Sequence, residues 1–239
     1  MTQEMFVQNP RRQGLKIFQD ALANIQKLQG LYDENGALIM PFIIRAHKAL
    51  STTSSKYTFD LGIGTSALLQ PENKLQKSDV AMITQVALGI QKYDPASPDF
   101  NQPILHAPDP IYHGVNPGKA LEKVYQGKST LKTGSQIRID GLSNLVLRYN
   151  PGDGFAGTLA APTDFPQYGP EDVNRGFFDL GGYPILDGEL QNQWEVELAT
   201  GDLTNIVDGA TAANSNNLVL LLLGWVYRGQ VGGGVSQCF

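Results

Sequence analysis

The sequence predicts an all-β protein, a sandwich of antiparallel sheets, and three observations carry that prediction. First, Leu218 to Tyr227 in the run NLVLLLLGWVYR carry no charge, and only Gly224 among them lacks a sizeable apolar side chain. A membrane-crossing helix needs about 20 such residues, so the run is too short to span. Its β-branched and aromatic content, followed by a glycine-rich tail, reads as a buried strand in mid-sheet. Second, several segments alternate apolar and polar residues with the period of two that marks a half-buried strand. Third, 26 glycines and 14 prolines in 239 residues imply many turns and long connections, and no repeated βα pattern accompanies them.

The N-terminal segment is the exception to this pattern. Asn9-Pro10 is a helix start, because Asn caps free amides and Pro suits the first helical position. Leu15, Phe18, Leu22, Ile25 and Leu28 then recur every three or four residues, with Gly30 as a stop. The result is one amphipathic helix of about five turns. Its stripe packs either on the β domain or, as an assembly arm, on a neighbouring subunit or a membrane face.

Strand signals begin at Ala37. The stretch ALIMPFII is apolar, but Pro41 lacks an amide hydrogen, which predicts an edge strand or a bent arm. Tyr57, Phe59, Leu61 and Ile63 alternate with Thr58, Asp60 and Gly62. Val80 to Tyr93 continues the theme, with Val80, Met82, Val86, Leu88 and Ile90 expected on one face. Ala81, Gln85, Ala87, Gly89 and Gln91 are expected on the other, where the small residues imply either close packing or a bend at Gly89.

Residues 94–118 hold six prolines and form a long loop. Leu121 to Tyr125 suits a short helix or strand. Ser129–Thr133, Gln136–Ile139 and Asn144–Tyr149 read as short strands split by Gly134 and Gly141. Residues 150–187 form a second glycine- and proline-rich loop, and loops of this length inside a compact domain are usually functional or interfacial. Trp194, Val196 and Leu198 alternate with Glu195 and Glu197 before the final apolar run. Eight or nine strands with long crossing connections suit a jelly roll. The expected division is an N-terminal helical assembly arm over 1–56 and a jelly-roll domain over 57–239.

Charge and composition narrow the function classes. A hydrophobic share of 41% against 17% charged residues suits a folded globule. A net charge of −5 gives no bulk attraction to nucleic acid or anionic lipid. It is unevenly spread, +3 over residues 1–56 and −8 over the remainder, so the arm presents either a contact for an anionic partner or simply a solvated helix face. The lone Cys238 can form neither an internal disulfide nor a multi-cysteine metal site. The opening MTQEMFVQNPRR lacks the apolar core of a secretory signal, so synthesis and retention in a cytosol are expected.

No catalytic signature stands out. Gly62-Ile-Gly64-Thr-Ser-Ala67 follows a strand and matches a relaxed dinucleotide fingerprint. Pro71 leaves little room for the helix that such a phosphate site requires. His106 and His113 flank Asp109 in one loop, but a spacing across two prolines fixes no metal geometry. Glu195 and Glu197 are neighbours on one strand face, whereas paired catalytic carboxyls must oppose each other across a cleft. A solvent or interface face is the expectation for them. Aromatics in the long loops, Tyr112, Phe155, Phe165, Tyr168, Phe177, Phe178 and Tyr183, are either anchors for partners or packing for the loops themselves.

The arm NPRRQGLKIFQDALANIQKLQG ahead of a strand-rich body, the stretch ALEKVYQGKSTLKTGSQIRIDGL and the terminal NNLVLLLLGWVYRG are similar to a known family. They resemble the jelly-roll capsid (coat) proteins of tailless icosahedral bacteriophages, especially small phages with an internal membrane. The resemblance implies a viral structural protein without enzymatic activity or cofactor, made in the host cytoplasm and resident in the virion. Its partners would be copies of itself in a lattice and other virion proteins, with the arm turned inward towards a membrane or the genome. Leu15, Phe18, Leu22, Ile25 and Leu28 of the arm, with Tyr112, Tyr168, Phe177 and Phe178 of the loops, are the expected assembly interface. Such phages often use two rolls per subunit, whereas the strand count here suits one. Two other classes stay open. One is a carbohydrate- or receptor-binding sandwich of the spike or adhesin kind, stacking sugars on Tyr112, Tyr168 or Tyr183. The other is a cupin-like metal enzyme.

Overall fold

A computed structural model describes residues 39–62, 75–77, 79–93, 123–149, 176–199 and 215–228, together with Lys16 and Phe18. Nine strands occupy these residues: β1 (Ile39–Ala49), β2 (Lys56–Asp60), β3 (Asp79–Tyr93), β4 (Lys128–Thr133), β5 (Gln136–Ser143), β6 (Phe178–Asp179), β7 (Ile185–Asp187), β8 (Asn192–Glu197) and β9 (Ser215–Arg228). They form two antiparallel sheets, as a β sandwich requires. The first sheet runs β1-β9-β3, with β6 and β7 both on the far side of β3, and the second runs β2-β8-β4-β5.

The last apolar run is a central strand, as its composition predicts. β9 pairs along its whole length with β3 on one side and along Asn217–Tyr227 with β1 on the other. Pro41 lies on β1, an edge strand of this sheet, where a missing amide hydrogen costs little. β1 is an integral strand of the sandwich, although it lies ahead of the expected boundary at residue 57.

The core fills the space between the sheets. Phe42 and Ile44 of β1, Val86, Leu88 and Ile90 of β3, and Leu218, Leu220 and Leu222 of β9 meet Tyr57, Phe59, Leu131, Trp194 and Val196 of the second sheet. Each fully buried side chain of this size contributes about 1.5–3 kcal/mol relative to exposure.

β3 departs from strict alternation. Its register against β9 shifts between Ile83 and Gln85, placing a β-bulge at Thr84. One extra residue reverses the side-chain parity. Ala81 and Ile83 therefore join Val86, Leu88 and Ile90 in the inter-sheet core, while Val80 and Met82 face outward. This corrects the expected faces of the strand, and the irregularity lies at Thr84, not at Gly89.

Other elements also differ from the sequence reading. Gly141 does not split β5, because its positive φ of 63° lets the chain bulge and continue to Ser143. Residues 123–126 make one helical turn, and residues 144–147 are a turn. Beyond it, backbone bonds tie Leu147 and Tyr149 to Leu88. The proline-rich stretch 150–187 contains both β6 and β7, which are too short to show a period.

The two sheets have unlike outer faces. On the first, Val80, Met82 and Tyr227 pack against Phe18, and Ala87, Val219 and Leu221 pack against Ile43, Tyr149 and Phe177. The sheet is thus covered on both sides. On the second, Glu195 lies 3.0 Å from Lys56 and 2.8 Å from Lys132, and Glu197 lies 3.2 Å from Lys128.

Candidate functional site

On the flank of the sandwich between β5 on one sheet and β6–β7 on the other, the described residues leave an opening. A groove of about 770 Å³ lies there, lined by Thr133, Arg138 and Ile139 from the β4–β5 hairpin and by Leu180, Tyr183, Ile185, Asp187 and Leu190 from the facing segment. The groove exists because the edge strand opposite β3 is interrupted. Leu180 donates its amide to Thr84 O, and Ile83 donates to Pro184 O, so the chain between β6 and β7 loops outward over the bulge.

Tyr183 tips that loop with φ of 40°, a left-handed conformation that costs a non-glycine residue about 1–3 kcal/mol. Its side chain packs at the border of the Phe18 cluster. Burial raises its phenol pKa, and the charge of Asp179 adds to the shift. Thr133 is 3% exposed, and its hydroxyl has no hydrogen-bond partner among the described residues. The groove is mostly apolar, with a few polar groups at its margin, a composition suited to an apolar anchor or a small ligand.

Like β2 on the other side, β5 is an edge strand of its sheet, and it borders the groove. Every residue of it is exposed except Ile139 and Leu142, which are half-buried. The large apolar side chains most open to solvent among the described residues all lie along this flank: Ile137 at 57%, Leu145 at 62%, Val146 at 45% and Leu190 at 46%. Scattered exposed apolar residues need no explanation, but their grouping on β5, the turn after it and the β7–β8 turn does.

A second polar group lies on the outer face of the first sheet, where His47 of β1, Asn217 of β9 and Gln91 of β3 come together with Arg45. Burial and, after it, the Arg45 charge lower the His47 pKa to about 4, with a hydrogen bond with Gln91 partly offsetting both. His47 is therefore neutral at physiological pH, with Nδ1 buried and without a hydrogen-bond partner among the described residues.

Several expected site residues can now be placed. Phe18 has no exposure and sits on its own sheet against Val80, Met82 and Tyr227, so in the single chain it is not offered to a neighbour. Phe177 stacks edge-on with Tyr149, centroids 5.6 Å apart, on the outer face. Phe178 is half-buried against the inter-sheet core. Leu15, Leu22, Ile25, Leu28, Tyr112 and Tyr168 lie outside the described residues, as do His106, His113 and Cys238. Glu195 and Glu197 lie on the outer face of the second sheet, paired with lysines, in keeping with their expected role.

The Gly62 segment begins with a bridge to Leu75, and the residues between them are outside the described set. No group of three or more histidine, cysteine or acidic side chains able to hold a metal occurs among the described residues. No helix among them is long and apolar enough to cross a membrane. The sequence did not single out β5, because QIRID alternates like any half-buried strand. Only its position at the sheet edge exposes it. No protein-family model matches the chain, and neither does any curated protein or solved structure.

Proposed function

We propose that the chain is a single jelly roll and serves as the capsid subunit of an icosahedral bacteriophage shell. One observation carries the reading, namely the strand order. If β6 and β7 are one strand interrupted at Leu180–Pro184, each sheet has four strands, β1-β9-β3-β6/7 and β2-β8-β4-β5. Successive strands then alternate between the sheets except at the β4–β5 hairpin, the connectivity of two nested Greek keys. Jelly rolls of this kind recur in viral capsids, lectins and cupins.

The capsid reading is favoured over the other two by the combination of this order with the sequence resemblance and the apolar flank along β5. A shell multiplies modest contacts, so no single interface need be tight. The mildly basic arm, helical at Lys16 and Phe18, would follow the outer face of the first sheet and reach neighbours, other virion proteins, an internal membrane or the genome.

Electron microscopy of the purified full chain at high protein concentration tests the reading. Closed shells or regular capsomer arrays are expected. Isolated monomers that bind glycans on an array would favour the spike or adhesin alternative. Stoichiometric metal in the purified protein would favour the cupin-like one.

A further inference from the structure

We propose that the free edge of β5 is a two-fold contact with a second copy of this chain, antiparallel and centred on Ile139. The proposal rests on the reading of the chain as a self-assembling subunit and names the surface through which two copies meet. In a two-fold contact the same patch serves both subunits, so the strand must be complementary to itself. The segment QIRIDGLS meets that condition in one register.

With Ile139 opposite Ile139 of the second copy, Arg138 falls opposite Asp140 and Asp140 opposite Arg138. The contact thus gains two cross-strand ion pairs. Arg138 and Asp140 have no ion-pair partner among the described residues. Ile137, 57% exposed, falls opposite Gly141, where a Cβ would meet nothing within 4 Å, so the isoleucine has room to lie across it.

The ends of the strand agree with this register. Leu145 and Val146 occupy the turn beyond Ser143, at one end of β5, and the groove lined by Thr133 and Leu190 flanks the other end. A two-fold axis at Ile139 brings the apolar turn of each copy to the groove of its mate. That juxtaposition gives the exposed Leu145 and Leu190 a common burial site and places an anchor where the buried Thr133 hydroxyl and the apolar walls lie.

β5 also carries two register shifts against β4, a device that natural sheets use to discourage indiscriminate edge pairing. The charges act in the same sense. They penalise a generic strand and reward one alignment of the chain's own copy, which is how specificity is usually obtained. A contact of one strand edge and two small apolar patches belongs to the weak class, below about 1,200 Å² in total, and suits a lattice.

The test is the association of the full chain, read by light scattering across protein concentration, for Arg138→Asp, Asp140→Arg and the double exchange R138D/D140R. Each single reversal sets like charges face to face twice and is expected to weaken association about tenfold or more. The double exchange restores opposite charges and is expected to return association to within about threefold of the parent. Both side chains are exposed, and unchanged far-ultraviolet circular dichroism and melting temperature show that the variants fold. If the parent assembles but the single reversals assemble equally well, or the double exchange fails to recover, the β5 contact is wrong while the assembly reading stands. If the parent is monomeric throughout, both fail.

Discussion

Asn144 has no solvent exposure, and its amide joins three elements. Its Oδ1 accepts from Ser129 at 2.6 Å, and its Nδ2 donates to Val124 O at 2.8 Å and to Glu197 O at 3.2 Å. Replacing it with Ala leaves buried polar groups of β4, β8 and the helical turn at 123–126 without partners. That change is expected to cost about 2–3 kcal/mol in urea unfolding. Gly224 is equally constrained, since a Cβ there would run into the Met82 carbonyl at the heart of the first sheet. Gly224→Ala is expected to destabilise by about 3 kcal/mol or to prevent folding. His47 titrates in the opposite sense to a surface imidazole. Its folded pKa of about 4 lies below the ordinary 6.5, so the unfolded chain binds the extra proton. Stability is full above about pH 6.5 and falls as the pH drops towards 4, by about 2 kcal/mol after allowing for solvent screening. The pH profile of thermal stability should flatten over that window in His47→Gln. Glu195, whose pKa is lowered chiefly by hydrogen bonding to Lys132, contributes stability above the usual carboxylate pKa that is lost only as pH falls through its lower folded value.

At the scale of elements, the one stripe residue of the expected leading helix that the structure describes packs on its own sheet. Phe18 is spent on Val80, Met82 and Tyr227. Phe18→Ala is therefore expected to cost the monomer about 3 kcal/mol in urea unfolding. Removing residues 1–36 should uncover that face as well as alter assembly. β9 was legible from its residues because a strand buried on both faces must be apolar throughout. β2, β4 and β8 were legible from alternation. β6 and β7 were not, since two or three residues show no period, and the β3 faces were misread because a bulge leaves no mark at Thr84. Register and edge position are tertiary facts, which is why a solvent-exposed Ile137 looks in the sequence like any core isoleucine. Of the candidate site, Tyr183 was visible as a loop aromatic, whereas Arg138, Asp140 and Leu190 acquire meaning only once the strand order is known.

At the largest scale, the described sandwich is asymmetric in a way that suits assembly. One sheet is covered on its outer side by the chain itself, the other presents lysine–glutamate pairs to solvent, and the β5 flank between them carries the exposed apolar side chains. Charged faces keep such a subunit soluble while the flank supplies contact. On the proposed reading, this sandwich is made to be surrounded by copies of itself. The most direct test of that reading is the weight-average mass of the purified full chain, measured by static light scattering as protein concentration and salt are raised. Reversible growth beyond the mass of one chain, towards particles of defined size, is the predicted result. A mass of 26.0 kDa at every concentration and salt would contradict it.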